Sequence, residues 1–165
     1  MRKLLLTFLC LFGFIAAWAA ESTVTVDFPK DNTTWSKVSS YTGTSTSSDW
    51  TLTNANNNNN GWDFVKIGGK NKEVTSDLTS VKPLTIAVNT VKVNIQKLAN
   101  GQVEVKGISV EVSADANFPE ASTTKVAATL PASYDNTDVT MTIAEPKANC
   151  YYRVSMRRQP TAAFG

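Results

Sequence analysis

The sequence predicts an all-β protein, an antiparallel β-sandwich of the jelly-roll type with about eight or nine strands. After residue 20, apolar and polar residues alternate over many short stretches, which is the period-2 pattern of strands with one buried face. Residues that favour turns, chiefly Asn, Asp, Gly and Pro, separate these stretches. Segments with a helical period are scarce over the same region.

Nine segments predict strands because they alternate or form short apolar runs bounded by turn residues. In chain order they are Val24–Phe28, Trp50–Thr53, Trp62–Ile67, Leu84–Val88, Val91–Ile95, Val103–Ser113, Val126–Leu130, Val139–Ile143 and Tyr152–Met156.

The dipeptide Asn100-Gly101 predicts a two-residue hairpin turn, because both residues tolerate the positive φ of a type I′ turn. Such a hairpin would pair Val93 with Ile108 and Val91 with Val110. In the valine-rich strand, the apolar residues before and after Gly107 have opposite parity. Gly107 is therefore a candidate for a β-bulge that brings both groups onto one face.

The N-terminal residues have the layout of a secretory signal peptide. Arg2 and Lys3 precede the apolar run Leu4–Ala17, and Ala17-Trp18-Ala19 has the small-x-small spacing of a cleavage site. We expect residues 1–19 to be removed, residues 20–156 to form the domain and residues 157–165 to form an irregular tail. The mature protein would then be secreted, periplasmic or bound to the cell surface, with no membrane segment. An uncleaved N-terminal anchor is the alternative.

The mature chain is formally neutral. Removing Arg2 and Lys3 leaves fourteen of the sixteen Lys and Arg residues, which equals the number of Asp and Glu residues. Nucleic acids and anionic membranes attract proteins with a basic excess, so neither is the expected partner. Cys10 leaves with the signal, and the remaining Cys150 shares parity with Tyr152, which predicts a buried structural thiol.

The chain contains no histidine, which removes the commonest general base and zinc ligand. We therefore expect no enzymatic activity. A pair of carboxylates could still hydrolyse a glycoside, and this alternative requires two acidic side chains that face each other across a cleft.

The segment from Asn32 to Asn60 is unusually polar, with 20 of its 29 residues Ser, Thr or Asn. One interpretation is a polar hairpin loop between two strands that each begin with a buried Trp. The other is a ligand-binding loop, in which amides and lysines meet hydroxyl groups beside an aromatic face. The candidate ligand residues are Trp50, Asn56, Asn57, Asn58, Asn59, Asn60, Trp62, Lys66 and Lys70.

No cofactor is predicted. Asp115-Ala116-Asn117 and Asp135-Asn136 could offer oxygens to a structural calcium ion, but each loop contains few acidic residues. Asx turns, in which the side chain accepts a hydrogen bond from its own loop, are the favoured interpretation of both.

The order of several segments resembles the discoidin-like, galactose-binding-like jelly rolls. Ile108–Phe118 looks like that family's hairpin strand and turn, and Thr124–Ala127 like its return strand. Val139–Ile143 and Tyr151–Ser155 resemble its closing pair. The segment 50–70 is similar to short secreted modules of Bacteroidetes-type bacteria. The resemblance implies a galactose-binding-like sandwich that binds glycans at loops on one end.

The chain departs from that family after Met156, because Pro160 is expected to stop the strand. We therefore expect the final strand to be missing, through truncation or a frameshift, which would leave an open sheet edge. Two functions remain: a non-catalytic glycan-binding or surface-accessory module, and a structural protein that accepts a partner's strand or oligomerises.

Overall fold

The computed structural model describes residues 24–28, 34–38, 42–56, 65–67, 73–97, 103–132 and 135–160, and the predicted signal peptide lies outside them. These residues form an antiparallel all-β structure, as the alternation predicts, with one 3-10 turn at Glu120–Ser122. No helix within the described ranges is long and apolar enough to cross a membrane. The strands are β1 Thr44–Thr46, β2 Trp50–Thr53, β3 Ala55–Asn56, β4 Lys66–Ile67, β5 Val74–Ser80, β6 Thr90–Lys97, β7 Val103–Ser113, β8 Thr124–Ala127, β9 Asp135–Thr142 and β10 Tyr151–Pro160.

Six strands form one large sheet in the order β1-β2-β5-β10-β7-β8. Strands β6 and β9 pair with each other as a second layer, and β3 and β4 form a small separate hairpin. All pairings between these strands are antiparallel.

The main core lies between the large sheet and the β6–β9 layer. Alternate residues of β7 face inward, and Ile108 and Val110 are almost completely buried. Val139 and Met141 of β9 meet them from the other layer. Burying a side chain of this size stabilises the fold by about 1.5–3 kcal/mol.

A second core lies under β1, β2 and β5. Leu52 and Ala55 are buried there beside Trp35, which stacks on Phe28 with ring centroids 5.0 Å apart. The Trp35 indole N–H donates to the Asp27 carbonyl oxygen at 2.9 Å. The predicted strand at residues 24–28 is therefore wrong, because this segment lies over the face of the sheet instead of pairing beside it.

The predicted bulge at Gly107 is confirmed. Arg157 of β10 pairs with Gly107 and Arg158 pairs with Val105, so Lys106 is an extra residue on β7. The bulge lets Val105 and Ile108 both face the core, although their sequence positions have opposite parity.

The predicted β6–β7 hairpin is wrong in its pairing. Val93 pairs with Val139. Val110 lies between Val154 of β10 and Val126 of β8, so this part of β7 has no free edge for β6. The two strands instead contribute to the same core from opposite layers.

Strands β1 and β5 were not predicted, because their fully buried residues are serines. Ser45, Ser76 and Ser80 are buried on the inner face and show no apolar alternation. Their burial is possible because their hydroxyls find partners. Ser45 Oγ donates to the Ser36 carbonyl oxygen at 2.6 Å, and Ser76 Oγ donates to the Asn54 carbonyl oxygen at 2.8 Å.

The predicted strand at Leu84–Val88 is also wrong. Only Leu84 of this segment forms a bridge, with Cys150. The Val88 N–H donates to the Tyr152 hydroxyl at 3.3 Å. Cys150 is buried in the main core, which confirms the structural prediction for its thiol.

The predicted irregular tail begins too early, because β10 continues to Pro160. The strand lies between β5 and β7 as far as Arg158, which pairs with Val74 and Val105. Pro160 pairs with Val103 of β7 at the end of the strand.

The segments that suggested a family resemblance have mixed outcomes. The return strand is confirmed, since Thr124–Ala127 pairs with β7. The predicted closing pair is wrong, because β9 pairs with β6 whereas β10 pairs with β5 and β7. The two segments therefore lie in different layers.

Candidate functional site

Three of the predicted ligand residues lie in the described ranges. Trp50 packs partly against both cores, and its cross-strand partner Ser80 is buried on the inner face. Trp50 thus contributes to the core, but it is half-buried where the structural interpretation predicts a buried Trp. Asn56 and Lys66 are brought together as cross-strand partners of the β3–β4 hairpin. The remaining candidates lie outside the described residues: Asn57, Asn58, Asn59, Asn60, Trp62 and Lys70.

The hairpin is anchored to the end of the large sheet. Asn54 adopts a positive φ of 52°, which turns the chain from β2 into β3, and its Nδ2 donates to the Thr75 carbonyl oxygen at 2.9 Å. Ala55 is buried in the second core. The Arg158 guanidinium donates from Nη1 to the Ile67 carbonyl oxygen at 2.9 Å. Both strands of the hairpin are therefore attached to the rest of the fold.

The outer face of the large sheet carries a line of polar residues, one from each strand. Cross-strand pairs share a face, and each member of this line pairs with the next. We call it the cross-strand row, and it consists of Thr46, Thr51, Thr79, Arg153, Glu111 and Lys125.

A charged cluster forms one end of the cross-strand row. Arg153 Nε donates to Glu111 Oε2 at 2.6 Å, and its Nη2 also contacts this oxygen. Lys125 Nζ donates to Glu111 Oε1 at 2.9 Å. Both oxygens of the carboxylate are therefore engaged, and the Glu111 side chain is only 12% exposed. The guanidinium Nη1 takes no part in these bonds and can donate elsewhere.

Phe118 lies beneath this cluster. The Arg153 Cζ atom is 4.4 Å from the centroid of the Phe118 ring, the geometry of a cation–π contact. The loop before it confirms the predicted Asx turn, because Asp115 Oδ1 accepts the Asn117 N–H at 2.8 Å. Phe118 ends this loop with a positive φ of 51°. The loop thereby directs the phenyl ring under the guanidinium.

An open cavity of about 310 Å³ lies over the cluster. It offers a mixture of groups: hydrogen-bond donors from two cations, acceptors from two carboxylates, a hydroxyl group and an aromatic ring. Its lining residues are Glu111, Phe118, Glu120, Thr123, Lys125 and Arg153.

The electrostatics of the cluster keep Glu111 ionised. Burial on its own raises the pKa of this carboxyl group, but the hydrogen bonds and positive charges of Lys125 and Arg153 outweigh it. The net effect is a pKa below the ordinary value of 4.5. Arg153 is therefore held in one orientation by a permanent negative charge at neutral pH.

The rest of this face is also polar. Ser155 Oγ donates to Asp77 Oδ1 at 2.6 Å, and Arg157 Nε donates to Glu73 Oε1 at 2.5 Å. Together with the cluster, the engaged groups comprise three carboxylates and three cations. Among the described residues, no group of three or more His, Cys, Asp or Glu side chains is placed to hold a metal ion.

Sequence reasoning missed this cluster, because its members are far apart along the chain. Glu111 and Arg153 are separated by 42 positions, and each looks like an isolated outward charge on its own strand. The available signal was the opposite charge of outward residues on neighbouring strands. Using it required knowing that β7 lies between β8 and β10.

Comparisons with protein-family models, curated proteins and solved structures gave no match to this chain. The resemblance to discoidin-like modules stays a prediction.

Proposed function

We propose that this protein is an exported, non-catalytic binding module whose ligand is a glycan bound in the cavity over Arg153. The observation that carries the proposal is the prearranged cluster of Glu111, Arg153 and Lys125 above Phe118. Ionic contacts hold these groups before any ligand arrives, so binding costs little side-chain entropy.

The chemistry of the cavity suits hydroxyl groups. A sugar hydroxyl both donates and accepts, and the cavity supplies donors from Arg153 and Lys125 and acceptors from Glu120 and Thr123. Because the engaged charges on this face balance, a neutral ligand matches it better than an anion or a cation.

Other classes of partner match this face less well. A protein interface usually has an apolar or aromatic centre, whereas Phe118 is only 7% exposed and the cross-strand row is polar. Nucleic acid binding requires a basic excess, and here each of the three cations contacts a carboxylate.

The cavity also contains the two carboxylates that a glycoside hydrolase would need, Glu111 and Glu120. A general acid requires a raised pKa, whereas the pKa of Glu111 is lowered. A nucleophile or general base requires a free carboxylate oxygen, whereas both oxygens of Glu111 are engaged. This favours binding over hydrolysis. Incubating the protein with the glycans that it binds and assaying reducing ends tests the point, and turnover would contradict the proposal.

A glycan array followed by calorimetry tests the binding site. Lys125→Met removes a donor at the mouth of the cavity, and we expect about tenfold weaker binding, the usual effect of losing a hydrogen bond to a charged group. The matched control is Lys92→Met, because Lys92 is exposed on β6 in the opposite layer. Glycan binding that is equal in both variants, or absent from the wild-type protein, would refute the proposed site.

A structural or interaction protein is the second candidate. The observation that favours it is an unpaired edge in the second layer, where β6 pairs only with β9 among the described strands. An edge of β6 could accept a strand from a partner. Size-exclusion chromatography over a range of concentrations separates the two candidates, because only the second predicts oligomers that grow with concentration.

A further inference from the structure

We infer that the glycan is a linear, neutral chain that lies across the strands along the cross-strand row, with one end in the cavity. This inference rests on the proposed function and names the shape of its ligand. It follows from the row continuing beyond the cavity, from Arg153 through Thr79 and Thr51 to Thr46 at the opposite edge of the sheet.

The spacing of the row fits a chain of sugars. Neighbouring strands lie about 4.8 Å apart, so the five steps between its six strands span about 24 Å. One strand spacing is comparable to the length of one sugar residue in an extended glycan. A linear chain that runs perpendicular to the strands would therefore place about one sugar over each strand.

The chemistry of the row also fits an uncharged chain. From Thr79 to Thr46 each strand presents a threonine, whose hydroxyl can donate and accept and whose methyl can contact a sugar C–H group. Thr51 Oγ1 donates to the Thr79 carbonyl oxygen at 3.4 Å, which leaves its lone pairs as acceptors. A parallel line of short polar side chains, Thr53, Asp77, Ser155 and Ser109, borders it on the same face.

A compact ligand would use only the cavity and would leave the threonines without a role. The threonine part of the row carries no charge, and its residues are exposed or half-buried. It therefore offers hydrogen bonds along a line, without an apolar centre for a protein partner. An extended polyhydroxylated chain is the occupant that uses the cavity and the row together.

The dependence of affinity on chain length tests the inference. We would titrate the protein with neutral oligomers of glucose, mannose and xylose, from the monosaccharide to the hexasaccharide, by calorimetry. Affinity is expected to rise with each added sugar and to level off when the row is filled. The double variant Thr51→Val and Thr79→Val removes two hydroxyls, and we expect about two- to tenfold weaker hexasaccharide binding for each hydroxyl. Monosaccharide binding should not change.

Thr140→Val is the matched control, since Thr140 is exposed on β9 in the opposite layer. Affinity that does not depend on chain length, together with a threonine double variant that binds like wild type, would overturn the inference. In that case Lys125→Met would still weaken binding, and the proposed function would stand. If none of the oligomers binds, the proposed function and the inference both fail.

Discussion

At the scale of single residues, Glu111 determines the chemistry of the candidate site. It accepts hydrogen bonds from Arg153 and Lys125, and its charge keeps the guanidinium over Phe118. The same contacts stabilise the fold. Burial removes most of the water around the carboxylate, and the hydrogen bonds from its two cationic partners replace the lost hydration.

Glu111→Gln should destabilise the protein by about 1–3 kcal/mol at neutral pH, since Arg153 loses its ionic partner. The pKa of Glu111 is lowered in the folded protein, so its contribution is present above the ordinary value of 4.5 and is lost as the pH falls through the folded value. The difference between variant and wild type should therefore shrink in acid. Urea unfolding at pH 7 and near pH 3 measures it, and a difference that is equal at both pH values would contradict the role of the charge.

At the scale of elements, the bulge in β7 lets the strand turn apolar residues into the core on both sides of the bulge. Arg157 faces Lys106 and Gly107 together, so the inward and outward positions change parity at this point. Without a bulge, a regular strand with this sequence would bury either Val105 or Ile108.

Deleting Lys106 should change the free energy of unfolding by no more than about 1 kcal/mol, because the shortened strand keeps every core residue facing inward. Deleting Ser109 is the contrasting change, since it reverses the parity between Ile108 and Val110 and should cost more than about 3 kcal/mol. Thermal and urea unfolding compare the two deletions. A Lys106 deletion as damaging as the Ser109 deletion would show that the bulge is needed for more than parity.

At the scale of the whole molecule, the two layers are unequal. Six strands face a second layer in which β6 and β9 are paired, and this layer covers the half of the large sheet formed by β7 and β10. The half formed by β1 and β2 is covered instead by non-strand segments that bring Phe28 and Trp35 over Leu52. An aromatic stack therefore replaces strands in part of the second layer.

Trp35→Ala should destabilise the fold by about 3–5 kcal/mol, because it exposes the second core and leaves Phe28 without its stacking partner. Trp35→Phe keeps an aromatic ring but loses the indole N–H bond to Asp27 and part of the buried volume, so its effect should be smaller, about 1–2 kcal/mol. Urea unfolding of both variants provides the measurement. A loss below about 1 kcal/mol for the alanine variant would show that the segment contributes little to the core.

Part of the fold was predictable because its signals are local. Alternation predicts β7 and β9, the glycine at position 107 predicts the bulge, and Asp115 predicts its own turn. The strands β1 and β5 escaped prediction, because a buried serine is stable only when another segment supplies a hydrogen-bond partner. Of the candidate site, Lys66 was correctly placed in a strand, whereas Asn56 was placed in the loop and lies in β3, and the charged cluster was missed.

The sequence by itself determined that this is an antiparallel β protein with Cys150 inside and a bulge beside Gly107, because each of these depends on the residues of one segment. Only the tertiary structure decided that β7 pairs with β8 and β10, and thus that Glu111 meets Arg153 and Lys125. The physical reason is that alternation fixes which face of a strand is buried but not which strand lies beside it. The choice among neighbours depends on how the whole core packs.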